Sequence, residues 1–598
     1  MNYSIKSKMK KWMNKGERNM KNHSKKLYDI PEVKDYRELL NNTVSKYPDH
    51  IAYKYKKDPT AKEPEYVEIS YKQFQTNVKE VSTALLELGL EGKKVILIGN
   101  NRYEWCTSYL AITTGNMIVV PLDKALPANE IEALVLKSGA EAAIFDKKYE
   151  EEFLKIKSNK QSNLKFLICM DQTNDKAEVM EYENLQIKGK EAIEKGNKVY
   201  DNMIIDPEKM SIMLFTSGTT SLPKAVMLSQ RNICSNIQGI ASYVKMYPTD
   251  TLLSFLPIHH TFECTVTFLY GIYYGVTVAF CDGLKYIAKN LAEYKVTVFV
   301  AVPLVLETMY KKITKAIEEK GKTKLIHTMS KLSHLLLKCK IDVRRVLFKQ
   351  ILDQFGGALR VVFYGAAPMN KDTIIGYNDL GIKLLQGYGL TETSPVIACE
   401  TDEKQRPGSV GYPLYNLEVE IDGKDENGSG EIKVKGPNVM QGYYQNPEKT
   451  AEVLRDGWFY TGDYGYLDED GFLYITGRKS DMIVLRNGKN IYPQELEFLI
   501  NKISYVEESI VYAREKTNTD TTIGAKIVYN EDLIKEFLGE KTEEEYKEII
   551  WNKIKEINQS LPTYKHIKEI MITKEPLDKT TTQKVKRYQE MKKISSNV

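Results

Sequence analysis

Met213-Leu214-Phe215-Thr216-Ser217-Gly218-Thr219-Thr220-Ser221-Leu222-Pro223-Lys224 organises the reading of the whole chain. An apolar run of strand character leads into a turn of hydroxyls and one glycine, closed by Pro-Lys. A helix-prone segment starts near Ser229. In such a turn, backbone N–H groups and hydroxyls donate to phosphate oxygens and the lysine ammonium adds charge. Strand, turn, lysine, helix is therefore the expected order, and a polyphosphate the expected ligand. The spacing is not that of the common GxxxxGK[ST] loop.

Outward from this stretch, short apolar runs alternate with helix-length amphipathic segments between about residues 35 and 400. Lys94–Ile98, Met117–Pro121, Ala142–Phe145, Leu252–Leu256, Val276–Phe280, Val296–Val302 and Leu359–Tyr364 read as buried parallel strands, and Ser70–Leu88 and Ser229–Lys245 as helices. Alternation of this kind predicts an α/β fold whose ligands bind beyond the carboxyl ends of strands. Residues 305–355 break the rhythm as a basic, helix-prone excursion, which suits either a membrane-surface helix pair or helices packed on their own domain. Residues 411–476 carry glycines, aspartates and short alternating strands, and predict a small β-barrel-like part. The expected division is a basic arm over residues 1–30, a large domain of layered α/β sheets over 31–477, and a smaller, mobile α+β domain over 478–598.

At 598 residues the chain is too long for one core. Its 42% hydrophobic and 28% charged residues are those of a globular protein. A net charge of +5 on 85 basic and 80 acidic residues gives no reason to invoke nucleic acid. Residues 1–27 hold nine Lys/Arg against the single acid Glu17. That arm reads either as a peripheral contact with anionic lipid at an inner membrane surface or as a solvated terminus. No apolar run suggests a signal peptide or a span. Seven cysteines, none in a C-x-x-C pair, point to a reducing cytoplasm.

Further clusters follow in order. Leu256-Pro257-Ile258-His259-His260-Thr261-Phe262-Glu263 puts two histidines near an acid. Tyr364-Gly365-Ala366-Ala367-Pro368 is a turn of small residues after a strand, where backbone can approach a flat ligand closely. Then come Gln386-Gly387-Tyr388-Gly389-Leu390-Thr391-Glu392-Thr393, Tyr460-Thr461-Gly462-Asp463, Ile475-Thr476-Gly477-Arg478 and, near the end, Pro576 through Arg587 with Lys584. The histidine cluster admits a metal site, a helix-capping histidine or a substrate contact.

Taken in series, these stretches resemble the AMP-binding superfamily of acyl-CoA synthetases, luciferases and peptide-synthetase adenylation domains, from about Tyr36 to Arg587. The overall shape looks most like the long-chain acyl-CoA synthetase branch. The resemblance implies that Thr216, Ser217, Gly218, Thr219, Thr220 and Lys224 hold the ATP phosphates. It implies an adenine site of Gly365, Ala366, Ala367, Gln386, Gly387, Tyr388 and Gly389, with Tyr388 stacked on the base. Thr391 would contact the α-phosphate, Glu392 with Thr216 would hold Mg2+, and Asp463 would take the ribose, with Ile475 and Arg478 beside it. His260 would stand near the acyl carboxylate, and Lys584 would bridge carboxylate and α-phosphate. Ser480 stands at the hinge about which the family's small domain turns. The implied reaction is ATP-dependent activation of a fatty acid to acyl-AMP, then transfer to coenzyme A.

Ser221, Ala225, Gln230 and Gln583 depart from the family pattern: Ser221 and Ala225 replace loop glycines, Gln230 a histidine, and Gln583 the glycine before Lys584. A lost positive φ there would strain the turn by roughly 1–2 kcal/mol. The alternatives are therefore a ligase for another acid or for a carrier-protein thiol, a weakened nucleotide- or lipid-binding homologue, and a membrane-tethered scaffold.

Overall fold

The computed structural model describes residues 26–216, 223–426, 428–485, 490–517, 520–579 and 585–596. The chain divides into two compact units. One is Met1–Glu418 with Val434–Phe459, the other Val419–Lys433 with Tyr460–Val598. By packing, the second unit takes in residues upstream of Arg478, where the sequence reading drew its division.

In the first unit, two large sheets form among the described residues. One runs in the order Gly442–Tyr443, Lys224–Ser229, Met210–Thr216, Ile118–Pro121, Lys94–Ile98, Ala142–Phe145, Phe166–Cys169, Val179–Glu181. The strands from Met210–Thr216 onward pair in parallel, and the first three are joined antiparallel. The other runs Tyr412–Pro413, Val396–Cys399, Lys383–Gly389, Val361–Tyr364, Val298–Ala301, Thr251–Ser254, Thr277–Phe280, Ile51–Lys56, Tyr66–Ser70. Its middle is parallel and its edges antiparallel. Parallel strands covered on both faces must be apolar throughout, which is why LRVVFY and KVILI are legible as strands. Ile96, Ile98, Ala143, Phe145 and Phe153 make one core, and Leu253, Phe299, Val362, Leu384 and Tyr377 the other.

Serines start two of the long helices. Ser70 accepts from Gln73 N ahead of Tyr71–Glu87, and Ser229 forms a reciprocal capping box with Asn232 ahead of Gln230–Ala241. The excursion resolves into helices Pro303–Glu319 and Thr323–Lys338, the first burying Leu306 and Ile313 in the second sheet's core.

One expectation about local order is corrected. Lys224 does not lead directly into a helix. It opens the strand Lys224–Ser229, which pairs antiparallel with Met210–Thr216 so that Thr216 and Lys224 are register partners. The phosphate-loop candidate thus joins two hairpin strands, and the helix begins only after Ser229.

In the second unit, Val506–Thr517, Asp520–Tyr529 and Glu569–Thr573 form a sheet on which Pro493–Ile500 and Glu543–Gln559 pack through Leu496, Ile500, Ile550 and Ile554. A small five-stranded sheet is built from Glu418–Asp422, Gly430–Lys435, Leu454–Arg455, Trp458–Leu467 and Leu473–Arg478, the β part expected over 411–476.

Candidate active site

Thr216 and Lys224 are half-buried at the loop end of the hairpin. Ser217, Gly218, Thr219, Thr220 and Ser221 between them lie outside the described residues. The Lys224 ammonium stands 5.0 Å from the centre of the Tyr443 ring, a cation–π contact. Tyr443 belongs to the neighbouring edge strand, in register with Val226, and is buried. Its hydroxyl donates to Oε1 of Glu392 at 2.9 Å. Burial, reinforced by the Glu392 carboxylate, pushes the Tyr443 hydroxyl well above the ordinary tyrosine range, so it stays a donor. Thr391 and Glu392 lie in a short 3-10 turn, Thr391–Thr393, and the Glu392 carbonyl accepts from Met440 N. One aromatic ring therefore brings the family-matched lysine and carboxylate together, although 168 residues separate them.

The small-residue turn follows the strand Val361–Tyr364, with Ala366 at φ +73°, a left-handed conformation that costs an alanine free energy. A Cβ on Gly365 would stand 2.8 Å from the Gly387 carbonyl oxygen, so a glycine lets the two parallel strands close up. Ala366 and Ala367 are exposed, and Gln386, Gly387, Tyr388 and Gly389 line the adjacent strand end. Tyr364 donates to Gln386 Oε1 at 3.0 Å, and Gln386 N donates to Glu400. Burial raises the Glu400 carboxyl to about 7. Behind this strand end lies a small apolar cavity lined by Phe262, Val266, Ile240, Leu385, Val396 and Cys399.

His260 ends the turn before a helical run. Its Nδ1 accepts from Phe262 N at 3.3 Å, so the capping reading has geometric support. Among the described residues no three His, Cys, Asp or Glu side chains gather as a metal site. Glu263, its partner in the motif, is fully buried in a π-helical segment. It accepts from Ser254 Oγ at 2.7 Å and Thr267 Oγ1 at 3.0 Å. Burial raises its carboxyl to about 8. Asn101, three residues beyond the strand Lys94–Ile98 of the first sheet, donates to Ser254 Oγ and to the Leu256 carbonyl and accepts from Ile258 N. The histidine turn is thus held by the first sheet as well as the second.

One feared strain is absent, and one departure is a structural tie. Ala225 has ordinary strand geometry, in register with Phe215. Gln230 accepts from Tyr36 N and donates to the Thr113 carbonyl, a buried structural tie. Ser221 and Gln583 lie outside the described residues.

In the second unit, Asp463 is buried and Arg478 exposed on register-paired strands, and Arg478 Nε donates to Asp463 Oδ1 at 2.8 Å. Ile475 lies three residues before Arg478 on the same strand. Ser480 is exposed in the turn Lys479–Asp481 and donates to Asp481. Lys584 lies outside the described residues, but its flanks are paired: Lys579 bridges Val585, and Lys586 N donates to the Asp578 carbonyl. Arg587 is tied to Glu497 and the Val511 carbonyl.

Glu392 and Thr216 offer hard oxygen ligands, one carboxylate and one hydroxyl, and Tyr443 engages only one Glu392 oxygen. That donor set fits Mg2+ completed by phosphate oxygens and water. Tyr443, Asn101, Glu400 and Glu263's burial carried no readable signal, because each acts through partners distant in sequence.

Residues 40–444 match the AMP-binding enzyme family and residues 480–598 match the AMP-binding enzyme C-terminal domain. Fatty acyl-CoA synthetase B of Dictyostelium discoideum is 29% identical over 531 residues, covering 83% of this chain and 77% of that one. The chloroplastic long-chain-fatty-acid–[acyl-carrier-protein] ligase AEE15 of Arabidopsis thaliana is 26% identical over 599 residues, covering 88% and 80%. The solved structure of a Mycobacterium tuberculosis fatty acyl CoA synthetase superposes with a TM-score of 0.64 at 21% identity, covering 94% and 99%. The chain belongs to the AMP-binding enzyme family, in its long-chain fatty acyl ligase branch.

Proposed function

We propose that the chain activates a long-chain fatty acid with ATP and transfers the acyl group to coenzyme A. The observation that carries this reading is the gathering of Lys224 and Glu392 on Tyr443, at the family's phosphate and metal positions.

A fatty carboxylate is ionised at neutral pH and needs no general base. The barrier is the approach of two anions, so positioning and charge stabilisation do the catalytic work. Lys224, with Thr216 and residues 217–220, holds the β- and γ-phosphates. Gly365, Ala366, Ala367 and the strand Gln386–Gly389 take the adenine, and Asp463 with Arg478 takes the ribose. Thr391 hydrogen-bonds the α-phosphate. Mg2+ held by Glu392 and Thr216 would supply charge neutralisation on the phosphates. Lys584 draws the carboxylate oxygen onto the α-phosphorus, forming the acyl–phosphate bond as pyrophosphate leaves. The thiol sulfur then attacks the acyl carbon and AMP leaves. Rotation of the small domain about Ser480 separates the half-reactions. The apolar cavity lined by Phe262 would receive the carbon nearest the carboxylate, with His260, two residues before Phe262, near the carboxylate itself. The scattered, disulfide-free cysteines support a cytoplasmic site of action, where the basic arm would meet anionic lipid. No helix among the described residues is long and apolar enough to cross a membrane.

A carrier-protein thiol is the second reading, favoured by the likeness to an enzyme named for that acceptor. The test is pyrophosphate release with ATP and Mg2+ across saturated acids of rising length, with coenzyme A or acyl carrier protein as acceptor. Long-acid and coenzyme A dependence is expected, with a loss of about 100- to 1,000-fold in Lys584→Ala. No release with any acid, despite ATP binding, would overturn the ligase reading.

A further inference from the structure

Helix Thr323–Lys338 buries only part of its circumference. Ile326 and Met329 pack on the second sheet's core, Ser333 is buried, and His334 reaches Asp379 at 2.8 Å. The adjoining face is apolar and uncovered: Leu325, Leu332 and Leu335 are 54%, 48% and 61% exposed. Their spacing of seven and three puts them on one helical face. Lys324, Lys331 and Lys338 repeat at intervals of seven, so they form a second row alongside the leucines. Just beyond, Ile341 and Val346 are 52% and 79% exposed. From Lys320 to Lys349 there are nine Lys/Arg and one acid, Asp342, which pairs with Arg344.

Scattered single leucines on a surface need no explanation, but a stripe of them edged by a lysine row does. A helix lying in a lipid interface has this form: leucines dip below the headgroups while lysine stems reach back to the phosphates. We propose that the face carrying Leu325, Leu332 and Leu335 docks on an anionic lipid bilayer, with Lys324, Lys331 and Lys338 on the headgroups. The lysine row selects the occupant by charge, and the leucines select a fluid apolar layer over a polar acidic protein. This face lies about 300 residues along the chain from the basic N-terminal arm, and the proposal does not depend on the ligase reading, since docking requires no turnover.

The test is co-sedimentation of the full chain with vesicles of phosphatidylcholine alone or mixed with phosphatidylglycerol. The unaltered chain should partition onto the anionic vesicles, less so as salt rises. Lys324→Gln/Lys331→Gln/Lys338→Gln together should weaken that partition roughly a hundredfold. Leu325→Ser/Leu332→Ser/Leu335→Ser should also release the chain, with an unchanged melting temperature as the check on folding. If the leucine variant fails to fold, the lysine variant decides alone. Unchanged binding in the lysine variant would assign vesicle contact to the arm and overturn the proposal. It would equally fail if the unaltered chain ignored both vesicles. In that case, loss of self-association in the leucine variant would name a second copy as the occupant, and retention would leave an acidic protein.

Discussion

The Tyr443 hydroxyl donates to Oε1 of Glu392 at 2.9 Å while the Lys224 ammonium rides 5.0 Å from the same ring's centre. Tyr443→Phe keeps the ring and its cation contact but removes the donor to a carboxylate, a bond of the stronger class. The expected result is a roughly tenfold higher Mg2+ concentration for half-maximal pyrophosphate release, with little change in melting temperature. Tyr443→Leu should further raise the KM for ATP. An unchanged Mg2+ requirement in Tyr443→Phe would remove Tyr443 from this role.

Asp463 is buried and its charge is met by Arg478. Asp463→Asn keeps the shape and loses the charge-assisted bond. ATP affinity, read by calorimetry, should fall about tenfold or more, because the Arg478 guanidinium loses its strongest acceptor.

Glu263 gives a pH signature. Burial raises its folded-state carboxyl to about 8, far above its unfolded value. The folded chain therefore holds a proton there that the unfolded chain has released. Stability from this group is full below the unfolded value near 4.5 and is lost progressively as pH rises to about 8. Glu263→Gln is neutral at every pH. Its melting temperature relative to the native chain should climb from pH 5 to pH 8 and level off above that. A difference that stays flat across that range would show the carboxyl to be charged throughout.

His260 separates two roles through substitution. His260→Ala removes the acceptor for Phe262 N and should cost about 1 kcal/mol of stability. His260→Asn restores a short acceptor at that position. If capping is its whole contribution, both stability and acyl-CoA formation recover. If His260 also meets the acyl carboxylate, stability recovers while kcat/KM for the acid stays low.

Much of the fold was legible because parallel strands are written as unbroken apolar runs. Lys94–Ile98 and Ala142–Phe145 have the bounds read from sequence. The short strand Lys224–Ser229 was missed, since KAVMLS between a proline and a capping serine reads as the approach to a helix. The pairing of strands into two sheets was not readable, because register partners such as Ile51–Lys56 and Thr277–Phe280 are more than 200 residues apart. The site's charged residues were visible only through their family order. What holds them was not: Tyr443, Asn101 and Gln230 look like ordinary polar or aromatic residues until the chain brings their partners to them. Gln230 is instructive, since a departure from the family pattern proves to be a buried tie between Tyr36 and Thr113.

The register pairing of Thr216 with Lys224 separates two kinds of evolutionary freedom. Residues gained or lost between those two change the length of the connection but leave the lysine aimed as it is, because the ladder below fixes it. A single residue gained or lost within Lys224–Ser229 would rotate every later side chain to the opposite face of the strand. Descendants of this sequence should therefore keep the count of the six residues Lys224–Ser229, while the connection is constrained instead by the phosphate contacts proposed for residues 217–220.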